Sequence, residues 1–156
     1  MITVRLTSSE ILFGAIVGAS RNTASIGKGD RNMHGIPENQ HWESHIEGAL
    51  GELAFAKGCG FFWGAEIGSY KRPDVMGYQV RTTRGNELIV REVDDNDQTF
   101  IMVQGSEGDY RIVGGILAAD AKVEKYRRAP GGRQPAYFVP MEDLTKAEWM
   151  FGVKHG

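Results

Sequence analysis

The chain lacks the features that mark secreted, membrane-spanning and strongly basic proteins. Its one cysteine, Cys59, excludes an internal disulfide and favours a reducing, cytoplasmic setting. No run of about 18 apolar residues is present, so no transmembrane helix is expected. Residues 1–6 have neither the basic start nor the long apolar run of a secretory signal, so no such signal is expected. The net charge of −2 excludes a chain-wide basic field and leaves a local basic patch open.

Glycine and apolar residues are abundant by comparison. The 21 glycines predict many turns and close backbone approaches. A hydrophobic fraction of 41% is enough to build a core, and 156 residues fit one domain of ordinary size. We therefore expect a single domain over residues 1–156.

Hydrophobic periodicity predicts helices in the first part of the chain. A short alternating strand over 2–6 precedes a helix over 11–19. A second helix covers 41–57 and ends at the glycines that follow. Between the helices, residues 22–40 are polar, glycine-rich and aperiodic, and the segment exceeds most ordered connections in length. We predict a mobile loop there. The aromatic run 61–63 is expected in the core.

Alternating segments predict strands in the second part. They are interrupted by a plausible hairpin turn at 84–86, and a short helix over 118–127 precedes the last strand. The predicted strands cover residues 78–83, 87–93, 100–103, 110–117 and 136–139. The fold class expected from this order is α+β (α/β), with one central mixed β-sheet flanked by helices.

Two acids and one polar strand face occur in an order that suits a divalent cation. Glu52 lies on the second predicted helix, and Asp74 precedes the strand that contains Gln79 and Arg81. Residues i and i+2 of a strand face the same side, so Gln79 and Arg81 point together and Val80 points to the opposite face. Carboxylate, amide and carbonyl oxygens are hard ligands of the kind that Mg²⁺ takes. Phosphodiester cleavage needs such a cation, an activated water and a positive group that stabilises developing charge.

The helical spacing selects Glu52 over its neighbour Glu47. Gly48 lies about one turn before Glu52, and His45, seven residues before it, lies within about 20° of the same face. Glu47 lies about 140° around the helix, so the two acids do not easily serve one metal. Glu47 is kept as the alternative ligand, and Gly48 and Gly51 leave room for a strand to approach.

This arrangement resembles the PD-(D/E)XK nuclease superfamily, whose signature is a helix acid, then Pro-Asp, then an acid-x-Lys strand. Pro73-Asp74 matches the first strand element, and Gln79-Val80-Arg81 occupies the second. The C-terminal segments 113–116, 120–122 and 135–140 resemble the strand, helix and strand of small nuclease-like proteins from bacteriophage genomes. The resemblance implies a restriction-endonuclease-like core, Mg²⁺ or Mn²⁺ as cofactor, and hydrolysis of DNA or RNA.

The resemblance also implies roles for individual residues. Glu52, Asp74, the Gln79 side chain and the Val80 carbonyl would bind the metal, and Glu52, Asp74, Gln79 and Arg81 would form the catalytic set. Gln79 stands where the superfamily has an acid, and Arg81 stands where it has Lys. Arg is always protonated and binds phosphate well, but it cannot act as a general base. The alternative is a catalytically inactive module of the same fold that binds nucleic acid or a host protein. A third possibility is a structural or interaction protein in which the acids are incidental.

Further substrate contacts are expected from basic residues and one histidine. Lys122, Lys125 and Arg128 are candidates for contacting a phosphate backbone, with a solvated basic face as the alternative. His45 is a candidate for contacting the substrate phosphate. The expected partner is nucleic acid, with DNA favoured, and a homodimer is possible because restriction-like folds often act as dimers. For a phage-encoded protein the cytoplasm would be that of the host cell.

Overall fold

The structure, a computed structural model, describes residues 1–28, 40–68 and 73–152. Its helices are α1 (Ser8–Lys28), α2 (His41–Cys59), α3 (Ala118–Ala121) and α4 (Ala147–Phe151). Its strands are β1 (Ile2–Arg5), β2 (Tyr78–Thr83), β3 (Glu87–Arg91), β4 (Thr99–Ser106), β5 (Asp109–Leu117), β6 (Arg127–Arg128), β7 (Ala136–Pro140) and β8 (Thr145–Lys146). No helix within the described ranges is long and apolar enough to cross a membrane.

The strands form two sheets. The main sheet has the order β1-β5-β4-β2, and β8 adds to β5. Its β2–β4 pair is parallel and its other pairs are antiparallel, so the sheet is mixed. The second sheet is antiparallel, with the order β3-β7-β6. The expected α+β class with a central mixed sheet is therefore confirmed, and the expectation that all strands lie in one sheet is wrong.

The strand β4 explains why a second sheet is needed. Its run Phe100-Ile101-Met102-Val103 is apolar on both faces, and all four side chains are buried. Ile101 and Val103 pack with the helices in one core, whereas Phe100 and Met102 pack with β3 and β7 in another. A strand without a polar face must be covered on both sides. The molecule is thus layered as helices, main sheet and small sheet.

The hairpin predicted at residues 84–86 is wrong, because β3 covers the second face of β4 instead of pairing with β2. The strand β2 pairs with β4, and β3 leaves the main sheet to pair with β7. The Gln104 side chain fixes the connection, because its Nε2 donates to the Gly85 carbonyl at 3.0 Å and to Asn86 Oδ1 at 2.9 Å. The strand β3 then buries Leu88 and Val90, both 0% exposed, over the second face of β4.

The first helix is longer than its apolar pattern predicts. It continues to Lys28, so residues 22–28 are helical and were wrongly predicted as loop. Residues 29–39 of that predicted loop lie outside the described residues. The polar side chains in this part are accommodated locally, since the Ser20 and Thr23 hydroxyls donate to carbonyls four residues earlier at 2.8 and 2.9 Å.

Two other helix predictions have different outcomes. The second helix is confirmed and runs two residues past its predicted end, to Cys59, and Gly60, with a φ of 70°, forms the left-handed cap. The helix predicted over 118–127 is wrong, because α3 stops at Ala121 and a short 3₁₀ turn follows over Glu124–Tyr126. Tyr126 turns inward there and is only 7% exposed, and burial of this ring replaces continuation of the helix.

Close packing of α1 on α2 depends on Gly18. A Cβ at this position would lie 2.5 Å from Ile46 Cα and 2.6 Å from the His45 carbonyl oxygen. These obstructing atoms are backbone, which cannot move aside as a side chain can. Gly18 therefore sets the distance between the helices, and it does so one turn before Arg21 in α1. A further Cβ at Gly51 would overlap the Thr82 side chain of β2, so α2 is equally close to the sheet.

We predict that Gly18→Ala destabilises the protein by about 2 kcal/mol, because overpacking against backbone costs more than the gain in helix propensity. The matched control is Gly48→Ala in α2, where an added Cβ meets nothing within 4 Å. That change is expected to be neutral or to stabilise by up to about 1 kcal/mol. Urea unfolding followed by circular dichroism measures both. Equal effects of the two substitutions would contradict the close approach at Gly18.

Candidate functional site

The predicted catalytic residues line one cavity of about 530 Å³ between the helices and strand β2. Its walls include Glu52, Asp74, Gln79, Val80 and Arg81, together with His45 and Gly48 of α2. The helical spacing and the strand alternation that grouped these residues in the sequence therefore bring them to the same place. Their chemical roles stay a prediction.

Glu52 is buried and fully engaged by two other side chains. Arg21 of α1 donates from Nη1 to Oε1 at 2.7 Å and from Nη2 to Oε2 at 2.8 Å. The indole of Trp63 donates to Oε2 at 2.9 Å. The side chains of Arg21 and Glu52 are only 19% and 7% exposed. Glu52 is thus one end of a buried, bidentate ion pair that joins α1 to α2 and includes an aromatic donor.

Arg21 is held in place from a second direction. Its Nε donates to the Glu66 carbonyl at 2.9 Å. Burial opposes the charged guanidinium, but the hydrogen bonds and charge of Glu52 outweigh that effect and raise the pKa of Arg21. Arg21 also lines the cavity, so a permanent positive charge lies next to the two acids.

Sequence reasoning missed Arg21 and Trp63. The signal for Arg21 is its position on the inner face of α1, where the buried residues are Gly14, Val17, Gly18 and Asn22. Arg21 follows that spacing at i+7 and i+4 from Gly14 and Val17, so a charge interrupts an otherwise buried stripe. Such a residue needs a buried partner of opposite sign. The helix predicted over 11–19 ends before Arg21, so that prediction does not include this position.

Asp74 is presented by a tight turn at the start of β2. Val75 and Tyr78 exchange backbone hydrogen bonds, and the two residues between them, Met76 and Gly77, have φ values of 48° and 85°. Positive φ at both central residues is typical of a type I′ turn. Asp74 Oδ2 accepts the Val80 N–H at 2.7 Å, which fixes the carboxylate against the edge of β2.

The Val80 carbonyl faces the same edge as Asp74. The N–H and C=O of one strand residue point to the same side of the strand. Because the Val80 N–H is directed to Asp74, its carbonyl is directed away from β4 as well. The strand β2 ends the order of the main sheet among the described strands. The expected backbone ligand therefore lies on the same side of the strand as the Asp74 carboxylate.

The electrostatics of the cavity disfavour a second negative charge. Burial, and next the charge of Glu52, raise the pKa of Asp74 to about 6. The Val80 N–H and the charges of Arg81 and Arg21 act in the opposite direction but do not cancel the shift. The charge of Arg21 therefore balances that of Glu52 but does not offset the full cost of a charged Asp74 carboxylate. The Asp74 carboxyl would lose its proton more readily if a further cation were close.

Gln79 and Arg81 reach the cavity from the other face of β2. Val80 packs in the core on the helix side, so its two neighbours point away from the helices, as the alternation predicts. Arg81 Nη2 lies 3.3 and 3.4 Å from the two carboxylate oxygens of Asp94. Its guanidinium carbon lies 4.9 Å from the centre of the Phe100 ring. Arg81 is thus positioned by an acid and an aromatic face rather than extended into solvent.

His45 and Glu47 of α2 have different surroundings. His45 lines the cavity, where burial and then the charges of His41 and Arg21 lower its pKa. It is therefore neutral at pH 7 and offers a hydrogen bond, not a charge. Glu47 instead accepts the Tyr110 hydroxyl at 2.6 Å and the Glu107 N–H at 3.1 Å, and it lines a neighbouring cavity. Of the two acids weighed in the sequence, only Glu52 lines the cavity with Asp74.

The predicted basic patch lies elsewhere and is paired with protein groups. Lys122 donates to two carbonyls in the loop after β3, Lys125 pairs with Asp143, and Arg128 pairs with Glu87 at 2.6 Å. None of the three is among the residues that line the cavity. The structure therefore does not bring these cations together with the acids.

The aromatic run 61–63 is only partly in the core. Trp63 is buried and Phe61 packs against Tyr78, as expected. Phe62 between them is 82% exposed and lines the cavity, so the prediction that it is buried is wrong. Its two neighbours face inward, and this directs the middle ring outward. Met76, 64% exposed, lines the cavity as well.

The oxygen atoms at the cavity suit a hard divalent cation. No group of three or more His, Cys, Asp or Glu side chains arranged for a metal occurs in the part of the chain that is described. The candidate set is instead two carboxylates, an amide and a backbone carbonyl, all of which Mg²⁺ accepts together with water. A cation close to Asp74 would act against the burial and the Glu52 charge that raise its pKa. Glu52 could contribute an oxygen only by sharing it with Arg21 or Trp63.

Comparisons of the chain with protein-family models, curated proteins and solved structures find no match.

We predict that Asp74→Asn makes the protein more stable at pH 8, by about 2 kcal/mol, and leaves stability unchanged near pH 4. The ordinary pKa of Asp74 is 3.8 and its folded value is about 6. Between these values the folded state keeps a proton that the unfolded chain has lost, so wild-type stability falls as pH rises through this window. Asn cannot titrate and keeps an oxygen for the Val80 N–H. Urea unfolding at pH 4, 6 and 8 measures the difference.

The control for this series is Asp109→Asn, an exposed acid whose side chain is 72% accessible in a surface pair with Arg5. Its effect is expected to stay below about 1 kcal/mol at every pH. A wild-type protein that is no less stable than Asp74→Asn at pH 8 would contradict a raised pKa for Asp74.

We predict that Glu52→Gln destabilises the protein by about 3 kcal/mol, because it leaves the buried charge of Arg21 uncompensated. The matched control is Glu43→Gln, also in α2. Glu43 pairs with Arg84 at 2.9 Å, but the two side chains are 54% and 61% exposed. An exposed pair contributes about 1 kcal/mol or less. Thermal and urea unfolding of the two variants compare them directly, and equal losses would contradict the structural role of Glu52.

Proposed function

We propose that this protein is a Mg²⁺- or Mn²⁺-dependent nuclease with a restriction-endonuclease-like core, encoded by a phage or mobile element. The observation that supports the proposal most is the convergence of Asp74, Glu52, Gln79 and the Val80 edge on one cavity with Arg81. Their order along the chain, a helix acid, then Pro-Asp, then a Gln-x-Arg strand, matches the motif order of the resemblance. The mixed sheet next to α2 is compatible with such a core.

The metal would be held at the edge of β2. Asp74, the Gln79 amide oxygen and the Val80 carbonyl would hold it there, and Glu52 lines the same cavity. When bound, Mg²⁺ supplies Lewis-acid stabilisation of phosphate charge and makes a coordinated water a better nucleophile. The protonation of Asp74 then sets the pH at which the site is ready, since a carboxylate must be deprotonated to act as a ligand. With a pKa of about 6, this condition is met at neutral pH.

The two arginines of the cavity would bind the substrate phosphate. Arg81 is fixed by Asp94 and Phe100, and Arg21 is fixed by Glu52 and the Glu66 carbonyl. Both are permanently charged, so they stabilise the negative charge that develops on phosphate oxygens without exchanging protons. His45, neutral at pH 7, would add a hydrogen bond. In hydrolysis the water oxygen bonds to phosphorus and gives a proton to solvent, the ester P–O bond breaks, and the leaving oxygen takes a proton from solvent.

A non-catalytic nucleic-acid-binding module is the second candidate. The specific observation in its favour is that both Glu52 oxygens already accept hydrogen bonds, from Arg21 and from Trp63. Arg81 likewise has an acidic partner in Asp94. In this second case the cavity would bind phosphate through its arginines, and no metal would be required.

We predict that purified protein cleaves labelled DNA or RNA in Mg²⁺ or Mn²⁺ but not in EDTA, and that Asp74→Asn lowers the rate by about 100-fold or more. Asp74→Asn is the informative change because it is expected to raise stability at neutral pH, so lost activity cannot come from unfolding. Single- and double-stranded oligonucleotides of both nucleic acids are the substrates. Time courses on denaturing gels give the rates.

The control variant is Glu47→Gln, whose side chain lines the neighbouring cavity. It is expected to retain the wild-type rate. Cleavage that survives in EDTA or in Asp74→Asn would overturn the proposal. Salt-dependent binding of the same oligonucleotides without cleavage would favour the second candidate.

A further inference from the structure

Phe62 is an exposed aromatic ring that is held in place from both sides. The neighbouring Phe61 stacks on Tyr78 with ring centres 6.5 Å apart, and Trp63 is anchored by its hydrogen bond to Glu52. The backbone between two anchored rings has little freedom, so Phe62 needs little further ordering to bind a ligand. With 82% of its surface exposed, it gains almost nothing from burial in the described structure.

Met76 lies at the same cavity in a backbone conformation that suits it poorly. Its φ of 48° falls in the left-handed region, at a turn position where Asn, Asp or Gly is favoured. The side chain is 64% exposed, so packing does not explain the choice of residue. Strained residues that packing does not explain occur preferentially at ligand sites.

The cavity therefore combines two kinds of surface. Arg21 and Arg81 offer permanent positive charge, and Phe62 and Met76 offer exposed apolar contact area. A nucleotide has the complementary pair of groups, a charged phosphate and a flat base with apolar faces. Aromatic side chains stack on such faces in proteins that bind single strands. In a duplex each base face is covered by its neighbours, so an intact duplex presents no face to Phe62.

We propose that Phe62 and Met76 bind an unpaired nucleobase next to the phosphate at Arg21 and Arg81, and that the substrate is single-stranded nucleic acid. This substrate class depends on the proposed function for its place in a cleavage reaction. The base contact itself requires neither metal nor catalysis. The volume of about 530 Å³ lies within the range of pockets that take small-molecule-sized groups.

The test compares fluorescein-labelled oligothymidine of twelve nucleotides with an abasic sugar–phosphate strand of the same length and charge. Fluorescence anisotropy in EDTA, and again in Ca²⁺, measures affinity at low salt. Wild type is expected to bind oligothymidine about 10-fold more tightly than the abasic strand, and to bind a thymidine–adenosine duplex of that length more weakly than oligothymidine. Phe62→Ala is expected to lower affinity for oligothymidine about 10-fold and to leave the abasic strand unaffected.

Three further variants separate base stacking from other effects. Phe62→Tyr keeps the ring and is expected to retain the preference. Met76→Gly is expected to weaken oligothymidine binding several-fold while raising the unfolding temperature, because Gly relieves the backbone strain. Trp149→Ala is the matched control, since Trp149 is 78% exposed and is not among the residues lining the cavity. It is expected to bind both strands as wild type does.

Several results would overturn the inference. These are equal affinity for the two strands or no binding to either, tighter binding of the duplex, and a loss in Phe62→Ala that is the same for both strands. A change in elution volume of Phe62→Ala on size exclusion would show that a second copy of the chain covers the ring instead. A base-dependent affinity without any cleavage would keep the inference and remove the nuclease. Cleavage without a base-dependent affinity would keep the nuclease and remove the inference.

Discussion

The buried pairing of Arg21 with Glu52 is the constraint on which the rest of the site depends. A charge taken out of water must be compensated nearby, and here the two charges come from different helices. Arg21 reaches Glu52 only because α1 extends past its apolar pattern and packs closely at Gly18. The same guanidinium binds the Glu66 carbonyl, so the segment after α2 is fixed to α1 as well. One ion pair therefore sets the positions of three walls of the cavity.

The pair also determines how the remaining acid behaves. Burial of the Asp74 carboxyl, and next the charge of Glu52, raise its pKa to about 6, and the opposing charges of Arg81 and Arg21 do not cancel that shift. A buried carboxyl group with a raised pKa lowers the free energy of unfolding at neutral pH, and such a loss of stability is common at binding and catalytic sites. A cation next to Asp74 would recover that free energy. The stability lost at neutral pH and the proposed metal affinity thus both come from the buried Asp74 carboxylate.

Local periodicity in the sequence was enough to group most of the site residues. Alternation in β2 placed Gln79 and Arg81 on one face, and helical spacing placed His45 and Glu52 together. Neither pattern included Arg21, because the helix predicted over 11–19 ends before it, whereas α1 continues to Lys28. The pairing of the strands could not be predicted from local periodicity either. Whether β3 turns back on β2 or crosses to a second sheet depends on its pairing with the distant β7, which no local pattern encodes.

In both proposed functions Arg21 would bind the substrate phosphate, and the two differ in whether a metal is bound as well. If Arg21 stays on Glu52, the metal of the first candidate would depend mainly on the oxygens of Asp74, Gln79 and Val80, which line the same cavity. The guanidinium has five N–H groups, and its contacts with Glu52 and Glu66 use three of them. The remaining donors would then bind a phosphate in the cavity that Arg81 also lines. Glu52 would act as a positioning residue for a phosphate-binding arginine, and metal affinity would depend on Asp74 far more than on Glu52.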